Sequence, residues 1–91
     1  MYVYKLKMRP GCEKSCDVRD IEALYIGYPV AAYWKKERLH DYVKSHPGTV
    51  QVAIAPYMDV VPAVSSQGEK YVRSGPEDFP HDSLLRLSRE E

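Results

Sequence analysis

No apolar run in these 91 residues approaches the roughly 18 that a membrane-crossing helix needs, so no membrane role is expected. Cysteine is scarce. Cys12 and Cys16 are too few for a disulfide framework. The opening Met1-Tyr2-Val3-Tyr4-Lys5 lacks both the apolar stretch of a signal peptide and the Arg/Ser bias of a transit peptide. A cytoplasmic chain with reduced thiols is the expectation. Excess charge of either sign is also missing: 13 Lys/Arg balance 13 Asp/Glu, which excludes a strongly basic nucleic-acid binder. The five glycines are scattered singly and make no phosphate-cradling loop, and there is neither a nucleophile elbow nor an H-E-x-x-H motif. Cys12 or Cys16 beside His40 or His81 has no local signature to support nucleophilic catalysis, so no catalytic residue is assigned and no enzyme is expected.

A metal site fares no better. Cys12, Cys16, His40 and His46 make two cysteines and two histidines, but the first spacing is C-x3-C and the second pair straddles a helix end. Surface thiols and exposed histidines are expected instead, with no metal and no cofactor, and a zinc-binding domain stands as a further alternative.

What the chain does have is tyrosine: eight of its ten aromatic residues, against one Phe. Tyrosine suits half-buried positions, where the ring packs and the hydroxyl reaches water, so most of the eight are expected at the edges of a small core. A domain of this size buries about two thirds of the surface its unfolded chain exposes, which leaves one core and little room for a deep pocket. Residues 1–48 carry nine basic against six acidic side chains and residues 49–91 carry four against seven. This weak dipole can orient an encounter with a partner.

The pattern along the chain is that of one α+β domain. Residues 2–8 alternate, with Tyr2, Tyr4, Leu6 and Met8 expected on one face and Val3, Lys5 and Lys7 on the other. Pro10-Gly11 is a turn signal. A second strand is expected from Val18 to about Ile26, apolar on both faces and hence central. Gly27-Tyr28-Pro29 breaks it, and Val30 to Trp34 leads into a helix over 35–44 carrying Leu39, Tyr42, Val43 and His46 on one stripe. His46-Pro47-Gly48 stops the helix. Strands follow at 49–55, at 58–64 with Pro62 marking an edge or bend, and at 69–74 after a Ser65–Gly68 hairpin turn. The expected order is β-β-α-β-β-β: a small, mostly antiparallel sheet of about five strands under one helix, with a C-terminal tail packed back through Leu84, Leu85 and Leu87. Asp82 or Ser83 stands where a cap for a short turn belongs.

The last stretch also carries a likeness. Gly68-Glu69-Lys70-Tyr71-Val72-Arg73-Ser74, then Pro76-Glu77, then Asp82-Ser83-Leu84-Leu85 and Leu87 resemble the closing signature of short prokaryotic proteins known as domain of unknown function 3892. Those proteins end in a KYLRT-like strand, a Pro-Asp turn and DNLL followed one residue later by Leu-Pro. This chain departs from that pattern at Glu77, Asp78, Ser83 and Ser88. The resemblance implies a fold and no activity. Physically the segment reads as a lock on the last strand: Tyr71 and Arg73 share a strand face, and Asp82 follows Arg73 closely enough for a turn to return its carboxylate to the guanidinium.

One helix covers one face of such a sheet, so the other face is left for solvent or binding. The expected role is a non-catalytic module that docks a protein partner or a second copy of itself, with Tyr28, Tyr33 and Trp34 as candidate anchors around the break before the helix. The alternative is a single-stranded nucleic-acid binder. Lys5, Lys7, Arg9 and Lys14 cluster near the first strand, and Lys35, Lys36, Arg38 and Lys44 line the helix, with Tyr2, Tyr4, Tyr33 and Trp34 interleaved.

Overall fold

The structure, a computed structural model, describes residues 1–27, 31–75 and 82–89. Its class is α+β. Among the described residues there is one α-helix, α1 (Lys36–Ser45), a mixed sheet of five strands and a separate two-stranded hairpin. The large sheet runs β3 (Ala32–Lys35), β2 (Ile21–Ile26), β1 (Tyr2–Met8), with β1 antiparallel to β2 and β2 antiparallel to β3. The far edge of β1 is shared by two short parallel strands, β4 (Gln51–Val52) beside Tyr2 and Val3, and β7 (Ser88–Arg89) beside Lys5 and Leu6. The hairpin is β5 (Val61–Val64) with β6 (Lys70–Arg73). No helix among the described residues is long and apolar enough to cross a membrane.

Several elements differ from the sequence reading. A strand, β3, precedes the helix where a connection was expected; its edge position needs hydrogen bonds on one side only, so four residues suffice. The second strand starts at Ile21 because Val18–Asp20 form a 3-10 turn, capped by the Asp17 carboxylate accepting from the Arg19 N–H at 2.9 Å. The strand expected over 49–55 shortens to Gln51–Val52, since β1 has room for only two paired residues there before β7 takes over the same edge. The tail adds β7, which alternation over two residues cannot announce.

The phase of β1 also changes, and this decides the surface. The register steps from Val3↔Ile26 to Lys5↔Tyr25, leaving Tyr4 as an extra residue in a bulge. A second shift lies between Lys7↔Ala23 and Met8↔Ile21, with Glu22 the extra residue. A bulge shifts the inward phase by one residue, so Val3, Leu6 and Met8 are all buried while Tyr2 and Tyr4 face out.

The core lies on one side of the large sheet. Val3, Leu6, Leu24 and Ile26 meet Leu39 and Val43 of the helix, Val72 of the hairpin and Leu84, Leu85 and Leu87 of the tail. The inward stripe of α1 is Lys36, Leu39, His40 and Val43, at i, i+3, i+4 and i+7. Leu39 and Val43 belong to the stripe read from the sequence, but the polar Lys36 and His40 complete it in place of Tyr42, which is half-buried, and His46, which is exposed. Both Lys36 and His40 are buried with a partner: the His40 ring shares a 3.0 Å hydrogen bond with the Tyr71 carbonyl, and the Lys36 ammonium donates to the Arg19 carbonyl at 2.7 Å and to Glu69 at 3.1 Å. The helix ends at His46, and Gly48 takes the left-handed conformation at φ 75°, which glycine adopts without penalty.

Candidate functional site

The side of the large sheet that α1 leaves uncovered is built by cross-strand pairs. Tyr33, Tyr25 and Lys5 lie side by side across β3, β2 and β1, with Ser88 of β7 beyond them. Lys35, Ala23 and Lys7 form the next row. Cross-strand neighbours on one face are close enough to touch. The Tyr25 and Tyr33 rings meet edge to face with centroids 5.2 Å apart, and the Lys5 ammonium sits 5.5 Å from the Tyr25 centroid.

At the other end of the face the bulge turns Tyr4 outward. Its ring lies against Gly27, so closely that a Cβ there would stand 2.7 Å from Tyr4 Cε2. Tyr2 is 6.4 Å from Tyr4 and 6.1 Å from Tyr57, centroid to centroid. Tyr57 comes from the loop between β4 and β5 and holds φ at 59°, a conformation rare for a bulky side chain. Tyr2, Tyr4 and Tyr57 are 42%, 45% and 55% exposed, whereas Tyr25 and Tyr33 are half-buried. The face therefore carries five tyrosine rings, grading into a lysine row.

Charge is sorted in the same way. Among the described residues the ion pairs join Arg9 and Lys36 to Glu69, Arg19 to Asp17 and Lys70 to Asp41. Lys5, Lys7 and Lys35 belong to none of them and are exposed. Among the described carboxylates, Asp59 accepts from Gln51 at 2.9 Å, and Glu22 and Glu37 line a shallow cleft with Lys35. Net neutrality thus conceals a face on which Lys5, Lys7 and Lys35 stand together beside tyrosines, because the strand register brings these three to one side of the sheet.

The residues singled out in the sequence divide. Tyr33 joins the uncovered face, whereas Trp34, its strand neighbour, points to the other side. There it packs against the core, meets Tyr42 edge to face at 5.5 Å and lies under the Arg38 guanidinium at 4.6 Å. Adjacent strand residues alternate sides, so these two cannot anchor one surface together. Tyr28 lies outside the described residues. Of the lysines expected to act together, Lys36 is buried and Lys44 lies on the helix, away from Lys5 and Lys7. Tyr25 and Tyr57 were missed: Tyr25 read as part of a central strand apolar on both faces, and Tyr57 reaches the site only through its loop.

The tail residues come together differently from the expected ion pair. Asp82 is 5% exposed and caps the 3-10 turn Ser83–Arg86. Its carboxylate accepts from the Ser74 N–H at 2.9 Å, the Ser74 hydroxyl at 2.5 Å and the Leu84 N–H at 2.9 Å. The tail is thus tied to the end of β6 at Ser74, one residue beyond Arg73, because a short buried carboxylate satisfies the nearby backbone donors. Tyr71 is buried and supplies the carbonyl that holds His40.

A second polar cluster bridges elements beside Lys36. Glu69, at the start of β6, binds Arg9 at 2.5 Å as well as Lys36. The Arg9 guanidinium first, then the Lys36 ammonium, hold the Glu69 carboxyl below its ordinary range, and Arg9 is raised in return. Asp17 is lowered by its hydrogen bond to Arg19, and Asp41 by Lys70. Cys12 is half-buried and Cys16 exposed, both in the loop after β1, while His40 is buried in the helix and not at the surface as expected. Among the described residues no three potential metal ligands converge. No family model, no curated protein and no solved structure matches the chain.

Proposed function

We propose that the chain is a non-catalytic binding module for single-stranded nucleic acid, which lies across the uncovered face of the five-stranded sheet. The observation that carries this reading is two groups of tyrosine rings, the exposed Tyr57–Tyr2–Tyr4 at one end and the half-buried Tyr25–Tyr33 pair at the centre, bordered by Lys5, Lys7 and Lys35, which join no ion pair among the described residues. Exposed rings offer stacking surfaces to unpaired bases, and lysines beside them neutralise phosphates. A duplex hides the faces of its bases, so this arrangement favours a single strand. Three phosphate contacts predict that log K falls against log salt with a slope of about −2.

The test is fluorescence anisotropy with a labelled mixed-sequence oligonucleotide of about 15 nucleotides and its duplex, at low and moderate salt. Saturable, salt-sensitive binding to the single strand over the duplex is the expected result. No change up to about 100 μM protein removes the reading. A protein-docking module is the second reading. It is favoured by the exposed Met58, which with Pro56, Tyr57 and Val61 borders an open cleft of about 450 Å³. Under that reading Met58→Ala abolishes partner binding and leaves oligonucleotides unaffected. The C-terminal likeness implies no activity and does not bear on the choice.

A further inference from the structure

The tyrosines of this face are not parallel. Tyr2 and Tyr4 are tilted by 57°, Tyr2 and Tyr57 by 70°, and Tyr25 and Tyr33 by 65°, with centroids 5.2 to 6.4 Å apart. A stacked run of bases has parallel planes about 3.4 Å apart, and no two of these paired rings can receive neighbouring bases of such a run. Each base that settles on a ring must therefore leave its neighbour. The rings are held in these orientations by the fold: Tyr4 by the bulge and Gly27, Tyr57 by its left-handed backbone, and Tyr25 and Tyr33 by the strand register.

Resting on the reading above, we infer that the ligand is a single strand bound with splayed bases, and hence one rich in uracil or thymine rather than adenine. Unstacking is the cost that separates these ligands. Purine runs stack on themselves and stay ordered as single strands, whereas thymine and uracil runs stack weakly and are already open. In duplex DNA the spread between weak and strong stacking steps is about tenfold in equilibrium constant, which sets the scale for the difference between single strands, while each tyrosine accepts any base face. A surface of parallel platforms at stacking distance would reverse this order, because it could take an adenine run without disrupting it. The lysine row tracks the backbone and makes no distinction between bases.

The experiment compares labelled dT15, U15, dA15 and an abasic strand of equal length at about 50 mM salt, with the mixed-sequence strand as reference. The expected order is dT15 or U15 about tenfold tighter than dA15, with the abasic strand weakest. Equal affinity for dT15 and dA15 overturns splayed binding and leaves the single-strand reading standing; failure of all strands, the mixed sequence included, removes both. Abasic binding as tight as dT15 also overturns the inference, since the rings then contribute nothing. A preference for U15 over dT15, or the reverse, supports the inference, and dU15 alongside separates the 5-methyl group of the base from the 2′-hydroxyl of the sugar. Tyr2→Ala, an exposed change, should lower affinity for dT15 about five- to hundredfold and narrow the dT15-to-dA15 ratio. Tyr2→Phe should keep both, which separates stacking from the hydroxyl.

Discussion

Replacing Asp82 with alanine should destabilise the domain by about 3 kcal/mol. The carboxylate accepts three hydrogen bonds at a site 5% exposed, two from backbone N–H groups and one from the Ser74 hydroxyl. Alanine leaves the Ser74 and Leu84 N–H groups without that acceptor, at about 1 to 3 kcal/mol for each buried donor, and removes the cap of the 3-10 turn. Relaxation of the short tail lets water reach part of the site, which keeps the sum toward the low end. A domain of this length has a total stability of about 5 to 14 kcal/mol, so the change is a large fraction of it. At about 4 to 8 °C per kcal/mol, thermal unfolding followed by circular dichroism should shift down by about 12 to 24 °C. Asp82→Asn keeps an acceptor for one donor but turns an amide N–H₂ toward another, and should fall between alanine and native. Ser74→Ala loses the hydroxyl bond alone and should cost about 1 kcal/mol. An Asp82→Ala melt within 3 °C of native would show that the tail does not hold the sheet through this carboxylate.

Four further outcomes follow from the same geometry. Lys7→Ala should reduce the steepness of the salt dependence of oligonucleotide binding by about 0.7 and leave the melt unchanged; an unaltered slope excludes Lys7 from the interface. Gly27→Ala should displace the Tyr4 ring, the exposed group its Cβ meets, and weaken binding about fivefold or more with little effect on stability; equal affinity removes Tyr4 from the surface. Glu69 is depressed in the folded state, so its contribution is complete above the ordinary glutamate range and is lost as pH falls from about 4.5 through the lower folded value. Native protein should lose melting temperature over that window and Glu69→Gln should lose less, which acid titrations of the two melts will check. Trp34 packs with Tyr42 and Arg38 on the side away from the tyrosine face, so saturating oligonucleotide should leave its emission maximum in place; a large shift places the ligand elsewhere.

Much of the backbone plan was legible. Helix α1 follows from Leu39 and Val43 on one stripe and the Pro47-Gly48 stop, and the β5–β6 hairpin from two apolar runs around Ser65–Gly68. Pro62 was a sound edge signal. The hairpin pairs Ala63 with Tyr71, and the Ser65 N–H donates to the Glu69 carbonyl, so Pro62 falls at the alternate position whose backbone points away from β6. Asp82 was legible as a cap because an acid before an apolar pair is a local signal. The partners of Asp82 were not, since Ser74 and Arg73 are equally near in sequence and only the turn decides which is within reach.

The sequence by itself determined which residues can be helix or strand, because periodicity, glycine, proline and capping act over a few residues. Its alternation along residues 2–8 predicted Tyr2 and Tyr4 on one face and Lys5 and Lys7 on the other. Which of them share a face was decided only in three dimensions. Two bulges shift the alternation at Tyr4 and Glu22, β3 brings Tyr33 beside Tyr25, and a loop more than 50 residues away in sequence carries Tyr57 to Tyr2. Composition is a sum, and it recorded no charge. Strand register set Lys5, Lys7 and Lys35 on one side of the sheet, apart from Asp17, Asp41 and Glu69 in their bridges with other cations, so the basic face exists only once the chain has folded.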